Sequence, residues 1–345
     1  MNQNQKEEIY VNDEEVKKLM QCLPKTNLKG AINPTQMVLY EGFWYFTNST
    51  LFRNVLTLQK HFVARDDDIF ITGFPKTGTT WLKSLLFAVV NRQNHPIINQ
   101  ISPLLTHHPQ ELVCNLESDV YDEAFEYPRP HHLNKVPSPR LFSTHIPYTS
   151  LPNSIKTSRC RILYICRNPL DTLVSLYYFY LGFMKNMAND GEDFVQPTLL
   201  EDIFEDFCQG KILFGPFFEH VLEFWNSSLE RPDKVLFLKY EDLKHDLTPQ
   251  LKRLAEFIGM PFSTREENEG VIRQIVDFCD IKNMKELDAN KSGVINKFFE
   301  KKSYFRKGEV GDWTNHFTPA MVEKMNKLME ENFKGSGLSF NIFSN

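Results

Sequence analysis

Residues Gly73-Phe74-Pro75-Lys76-Thr77-Gly78-Thr79-Thr80-Trp81 combine two glycines, a lysine and three hydroxyls in one short stretch. A brief apolar run, DIFITGF (68–74), leads into it, and a long apolar-periodic segment, TTWLKSLLFAVVNR, leaves it. The loop therefore joins a strand to the start of a helix. Backbone amides at a helix N-terminus face outward unpaired, and the helix dipole favours an anion there. Gly78 lets the main chain come close to a phosphate, Lys76 brings a positive charge, and Thr79 and Thr80 offer hydroxyls. Types and order together predict a cradle for a phosphate-like group.

The spacing of Gly73 and Gly78 is that of the NTPase phosphate loop, G-x-x-x-x-G-K-[ST]. Position 79 is Thr, however, where an NTPase carries its phosphate-reaching lysine, and the basic residue stands earlier, at Lys76. A second chemical resource is histidine, whose unperturbed pKa near 6.5 leaves it able to accept a proton at neutral pH. The chain has 10 His residues. The pairs His107-His108 and His131-His132 lack convincing metal partners, and no metal site is expected. His145 closes a strand-like run, RLFSTHI, a position where a histidine by itself is as readily a structural residue satisfied by backbone. The six cysteines are scattered with no Cys-x-x-Cys pair, as in a protein that keeps its thiols reduced.

Several elements must hold these groups in place. RLFSTHI (140–146), RILYICR (161–167) and KVLFLKYEDL (234–243) read as strands. DTLVSLYYFYLGFM (171–184), GPFFEHVLEFWNSSLE and PQLKRLAEFIG, closed by Gly259, read as helices. Alternation of this kind predicts an α/β fold, a single domain with a central parallel β-sheet and helices on both faces. Residues 31–345 would form that domain. Residues 1–30 read as a loosely ordered N-terminal segment with a short helix around Glu14–Cys22. Residues 100–140, rich in His, Pro and Asn, read as irregular, and 186–198 and 288–304 as mobile loops.

Four separated segments resemble the cytosolic sulfotransferases that use 3′-phosphoadenosine-5′-phosphosulfate (PAPS). FPKTGTTWLK is similar to the family's phosphosulfate loop, [P/S/T]-K-[ST]-G-T-T-W, and RNPLDTLVSLYYF places Arg167 and Ser175 at the family's separation. Tyr240-Glu241-Asp242 matches its YED segment, and RKGEVGDWTNHFT, Arg306 to Thr318, matches R-K-G-x-x-G-D-W-x-x-x-F-T. The likeness spans about residues 68 to 318, and FPKTGTTWLK, LFSTHIPY and FRKGEVGDW look most like the plant branch.

The resemblance implies PAPS as co-substrate and sulfuryl transfer to a hydroxyl. Lys76, Thr77, Gly78, Thr79 and Thr80 would hold the 5′ end, and Arg167, Ser175, Arg306, Lys307 and Gly308 the 3′-phosphate. Trp81 would stack on adenine, with Tyr240, Cys279 and Ile281 around it. His145, within the family's T-H-[LI]-P, would be the base, Lys76 would stabilise the departing oxygen, and Ser175 would restrain Lys76. Two anion sites suit a nucleotide phosphorylated at both ends. Charge-assisted hydrogen bonds of about 1.5–3 kcal/mol each are ample for the roughly 8 kcal/mol of micromolar binding.

There are departures. Asp280 and Ile281 stand where the family has Ser and an aromatic ring, and Ser143 stands where many animal members place a lysine two residues before the histidine. More charge stabilisation would then fall on Lys76 and the loop amides. The acceptor would be a small hydroxylated molecule such as a flavonoid, brassinosteroid-like sterol, hydroxyjasmonate or desulfoglucosinolate. Trp44, Tyr148, Phe179 and Tyr180 are candidate rings for its pocket. The animal dimer segment, K-x-x-x-T-V-x-x-x-E, survives only in part at Thr314, Thr318, Pro319 and Glu323, which predicts a monomer or weak homodimer.

Composition agrees with a globular enzyme. The chain has 345 residues, 41% of them hydrophobic and 24% charged, with 29 Phe. Its net charge of −5 gives no general attraction for nucleic acid or an anionic membrane, so any anion site must be a local cluster. The N-terminal MNQNQKEEIYVNDEEV has no apolar signal core and is too acidic for a transit peptide, so a cytoplasmic location is expected. A P-loop small-molecule kinase would need a lysine at 79 and an acidic magnesium ligand. A non-catalytic nucleotide-binding relative would not need Lys76, His145 and Arg306 together.

Overall fold

Successive residues of a strand face opposite sides of a sheet, and in the central strands of this chain both sides are apolar. The computed structural model describes residues 11–29, 36–47, 50–97, 101–121, 133–189, 199–295 and 299–340. In chain order the elements that matter for the site begin with helix α1 (Asp13–Cys22), strands β1 (Lys25–Asn27), β2 (Gln36–Tyr40) and β3 (Phe43–Phe46), and helix α2 (Leu51–His61). Next come β4 (Ile69–Thr72), α3 (Thr79–Asn91), the one-turn α4 (Pro109–Leu112), β5 (Cys114–Asn115), β6 (Leu141–Thr144) and β7 (Arg161–Cys166). They are followed by α5 (Pro169–Asn189), α6 (Phe217–Glu230), β8 (Val235–Lys239), α7 (Tyr240–His245), α8 (Leu247–Phe257), α9 (Val271–Phe278) and α10 (Ile281–Glu286).

Five strands form a sheet in the order β5-β6-β4-β7-β8, every neighbouring pair parallel. Phe70, Tyr164 and Phe237 join one core with residues of α2, α5 and α6, including Phe52, Leu173 and Phe224. Ile69, Ile71, Leu163, Ile165, Leu236 and Leu238 join the other, with residues of α3, α8 and α9, including Leu85, Leu254 and Ile275. A sheet buried on both faces is what the unbroken apolar runs demand. Because β4 is central, with β6 on one side and β7 on the other, the chain leaves it at a switch point where α/β proteins place their ligands.

Some expectations are corrected. Residues 240–243 continue no strand: Tyr240–His245 is a helix turn directly after β8. The region 100–140 supplies α4 and the edge strand β5, and 288–304 carries a helical turn, Asp288–Lys291, and a small hairpin, Val294–Ile295 with Phe299–Glu300. Within residues 1–30, α1 lies where a short helix was expected, and β1 pairs with β2, which pairs with β3 through the tight turn Glu41-Gly42. Residues 190–198, part of a segment read as a loop, and His131 and His132 lie outside the described residues.

Candidate active site

The ladder decides which side chains meet. Thr72 on β4 lies opposite Thr144 on β6 and Tyr164 on β7, so the residues that follow, Gly73 and His145, emerge side by side. His145 Nδ1 stands 2.6 Å from the Gly73 carbonyl oxygen. A carbonyl can only accept, so Nδ1 carries the proton and Nε2 keeps the lone pair. The His145 backbone is gripped as well: its amide donates to Glu117 Oε1 at 2.7 Å, and its carbonyl accepts from His220 Nε2 at 3.0 Å. His220 Nδ1 is left to accept from the Tyr164 hydroxyl at 2.9 Å. Burial, together with Lys83 and Lys76, pushes the His145 pKa down to about 4, against the opposing pull of the Gly73 carbonyl. The ring is thus a neutral proton acceptor over the physiological range.

The loop between β4 and α3 is built around internal contacts. Thr77 was placed among the anion ligands by the resemblance; its hydroxyl instead lies 2.8 Å from both the Phe74 and the Ile165 carbonyl oxygens, and its amide bonds Phe74. Both polar groups of Thr77 thus brace the loop from within. Gly78 has φ +113°, and a Cβ there would lie 2.7 Å from the Tyr240 ring, so glycine is required by conformation and by contact. Lys76 also has positive φ, 72°, a conformation that costs a lysine about 1–3 kcal/mol. Its Nζ sits 3.8 Å from the centroid of the Phe179 ring and 5.3 Å from that of Tyr304. Burial, then Arg306 and Arg167, lowers its pKa to about 7. Three cations converging on one place fit an anion between them.

Arg306 and Arg167 come from segments 139 residues apart (306 − 167), and Asp171 joins them. This fully buried carboxylate, at the start of α5, accepts from the amides of Gly311 at 2.8 Å and Trp313 at 3.1 Å, and from Asn168 Nδ2 at 2.9 Å. Arg167 Nη2 is 3.6 Å from it and donates to the Glu309 carbonyl at 2.5 Å. Asp312 holds Arg306 Nη1 at 2.7 Å and a further cation, Lys307 Nζ, at 2.6 Å. Burial works against the Asp312 charge, yet the Lys307 and Arg306 hydrogen bonds keep its carboxyl well below the usual range. The Nε atoms of Arg167 and Arg306 are buried with no partner among the described residues, two donors left over for a ligand. Ser175 lies half-buried further along α5.

The adenine-side candidates also meet. Trp81 Nε1 donates to the Cys279 carbonyl at 2.8 Å, and its ring meets Tyr240 edge-on, centroids 5.5 Å apart. The Tyr240 hydroxyl donates to the Gly308 carbonyl at 2.8 Å. Ile281 packs so closely on Gly308, whose φ is +70°, that a Cβ there would lie 2.6 Å from Ile281 Cγ2. Asp280 caps α10, its Oδ1 accepting from the Lys282 amide at 2.8 Å, which gives the carboxylate a helix N-terminus for its charge.

Of the four candidate pocket rings, Phe179 lies beneath Lys76 and stacks on Phe299 at 4.9 Å, whereas Tyr148 packs edge-on against core Phe224. Tyr180 packs beside the same core. The backbone of Trp44 bonds to that of Phe214 and Gly215, bringing Phe214 to 6.1 Å from the His145 ring. Sequence reasoning missed Phe214, Asp171 and Glu117. Asp171 had a signal, a carboxylate in the first turn of a helix after Asn-Pro; Glu117, in the short helical segment Leu116–Val120, falls in a stretch whose sequence reads as irregular and had none. Ser143 points its hydroxyl to the Cys114 carbonyl at 3.4 Å. Among the described residues no three His, Cys, Asp or Glu side chains group as metal ligands, and no helix is long and apolar enough to cross a membrane.

A parallel sheet with a phosphate-type loop after its central strand, facing a second basic cluster and a neutral histidine, defines a nucleotide-dependent group-transfer fold. Residues 66–337 match the sulfotransferase domain. The chain is 42% identical over 328 residues to cytosolic sulfotransferase 5 of Arabidopsis thaliana, covering 95% of this chain and 97% of that one. It is 40% identical to cytosolic sulfotransferase 10 of the same plant, with 98% of each chain covered. Among solved structures, an Arabidopsis thaliana putative steroid sulphotransferase superposes with a TM-score of 0.71 at 34% identity, covering 96% of this chain and 99% of that one. A mouse sulfotransferase, SULT7A1, solved with PAP, superposes at 0.64 with 28% identity, covering 87% of this chain and 95% of that one. The chain belongs to the plant-type cytosolic sulfotransferase family and is a PAPS-dependent enzyme.

Proposed function

We propose that the enzyme sulfates a hydroxyl of a small, largely apolar acceptor of the flavonoid, sterol or hydroxyjasmonate type, with His145 as the base. Lys76, the Gly78–Thr80 segment and its amides hold the 5′-phosphosulfate end of PAPS. Arg167, Arg306 and Lys307, with Ser175 and Gly308 beside them, hold the 3′-phosphate, and Trp81, Tyr240, Cys279 and Ile281 border the adenine. The acceptor oxygen gives its proton to His145 Nε2 as it bonds to sulfur. The bond between sulfur and the 5′-phosphate oxygen breaks, and Lys76 with the loop amides takes up the charge gathering on that oxygen. Adenosine 3′,5′-bisphosphate (PAP) is released.

The observation that carries this reading is the His145–Gly73 hydrogen bond. It fixes the tautomer of the base and ties it to the same loop that would hold the leaving group. Phe214 beside His145 and Phe179 beneath Lys76 favour an acceptor with an apolar or flat body. The free state of all six cysteines suits a reducing cytoplasm. The test is transfer of labelled sulfate from PAPS to a panel of flavonoids, sterols and hydroxyjasmonates by the wild type and His145→Ala. Loss of about 100-fold or more in turnover with PAP affinity retained is expected for a missing general base. Near-normal turnover by the variant would remove His145 from the reaction, and no turnover of any acceptor by the wild type would remove the acceptor class.

A further inference from the structure

We propose that Gln110, on the one-turn helix α4, is a positioning residue for sulfuryl transfer: it turns the Thr80 hydroxyl so that its proton is offered to the anion in the loop. The inference rests on the reading that this loop holds the 5′ end of PAPS.

The case is one of donors and acceptors. Lys83 lies one turn beyond Thr80 on α3 and is 2% exposed. Its ammonium, which has donors only, contacts Gln110 Oε1 and lies 3.3 Å from the Val113 carbonyl. With Oε1 turned to Lys83, the Gln110 amide nitrogen faces the other way and donates to Thr80 Oγ1 at 3.0 Å. The hydroxyl of Thr80, a residue 8% exposed, is thereby an acceptor on its protein side. Its single proton finds no acceptor among the described residues. A buried hydroxyl with an unspent proton, two residues past Gly78, is a donor held for a ligand.

The arrangement is braced from behind. His108 Nδ1 and the Glu111 carboxylate cap α4 reciprocally, and Glu111 pairs with Lys301 at 2.8 Å, so Gln110 is carried on an anchored turn. Lys83 thus does more than fill the space beside β5. Its charge selects the amide orientation, the amide selects the hydroxyl orientation, and the hydroxyl meets the nucleotide.

Gln110→Glu reverses the relay at nearly constant shape. A carboxylate can only accept, so the Thr80 proton would be drawn away from the loop. PAP affinity by calorimetry and the KM for PAPS are expected to worsen about tenfold or more, with the KM for the acceptor unchanged. In a double-mutant cycle, Gln110→Glu added to Thr80→Val should change PAP affinity less than about twofold, because the group it misdirects is gone. A merely structural glutamine would instead weaken both backgrounds alike, and that outcome, or wild-type PAP affinity in Gln110→Glu alone, overturns the proposal. If Gln110→Glu does not fold, Gln110→Met takes its place in the same cycle. Wild-type protein that fails to bind PAP overturns the underlying reading of the loop, a result distinct from a null effect of the variant.

Discussion

The two ends of the proposed nucleotide site hold their cations in opposite ways. At the 3′ end, Arg306 and Lys307 rest on Asp312, and Asp171 pins the segment that carries them, so positive charge is paired in advance by buried carboxylates. At the 5′ end, Lys76 rests on the faces of Phe179 and Tyr304, and its pKa falls to about 7. An aromatic face attracts an ammonium by about 0.5–2 kcal/mol, too little to offset partial burial beside two arginines. The proposed 3′ cluster is thus preorganised by its carboxylates, and the 5′ lysine would take full charge when an anion arrives. Rigid recognition sits at one end and an adjustable charge at the end where a bond must break.

Breaking the rigid end should have the largest effect. Asp171→Ala removes the acceptor shared by Gly311, Trp313 and Asn168 and leaves Arg167 without its carboxylate. Removing one partner of such a buried set costs about 3–5 kcal/mol. A fall of that size in urea-unfolding free energy is expected, together with loss of PAP binding; unchanged binding would show that the 306–313 segment docks without Asp171.

The adjustable end should reveal itself through pH. Above about pH 7 free Lys76 loses its proton and must regain it as the nucleotide binds. PAP affinity should therefore fall as pH rises through 7 to 9, by up to about tenfold per unit, with proton uptake measurable by calorimetry in buffers of different ionisation enthalpy. Lys76→Met should weaken binding and flatten this dependence. A variant that keeps the same slope would assign the titration to another group.

How far these ends were legible in the sequence follows from how each is built. The 5′ loop is contiguous: strand, Gly73, Lys76, Gly78 and helix follow one another, so local spacing carries the geometry. The arginines of the 3′ end could be matched to a family pattern, but the carboxylates that assemble them act across distant segments, and nothing local announces Asp171 as a tie. Three other elements failed for separate reasons. β5 is two residues long, Cys114–Asn115, with no strand-forming character of its own, and it exists because β6 offers it an edge. Tyr240–Leu243 looks like the end of an apolar strand, yet it turns helical where β8 leaves the sheet. The hairpin β2–β3 did have a signal, Glu41-Gly42 between QMVLY and FWYF, both with positive φ as a two-residue turn requires.

The smallest effect sharpens the comparison by lying outside it. Asp280 is a carboxylate near the proposed adenine pocket, but it serves the start of α10. Asp280→Ala should cost about 1 kcal/mol of stability, as for a lost N-cap, and leave PAP affinity where it was. Tighter PAP binding by the variant would place that charge against the nucleotide instead.

The most direct test is a crystal structure of the enzyme with PAP. The 3′-phosphate should lie within hydrogen-bond reach of the Arg167 and Arg306 guanidinium groups, and the 5′-phosphate on Lys76 and the amides that open α3, with His145 Nε2 free to face the acceptor. A nucleotide bound the other way round, or one whose 3′-phosphate makes no contact with either arginine, would contradict the two-ended site.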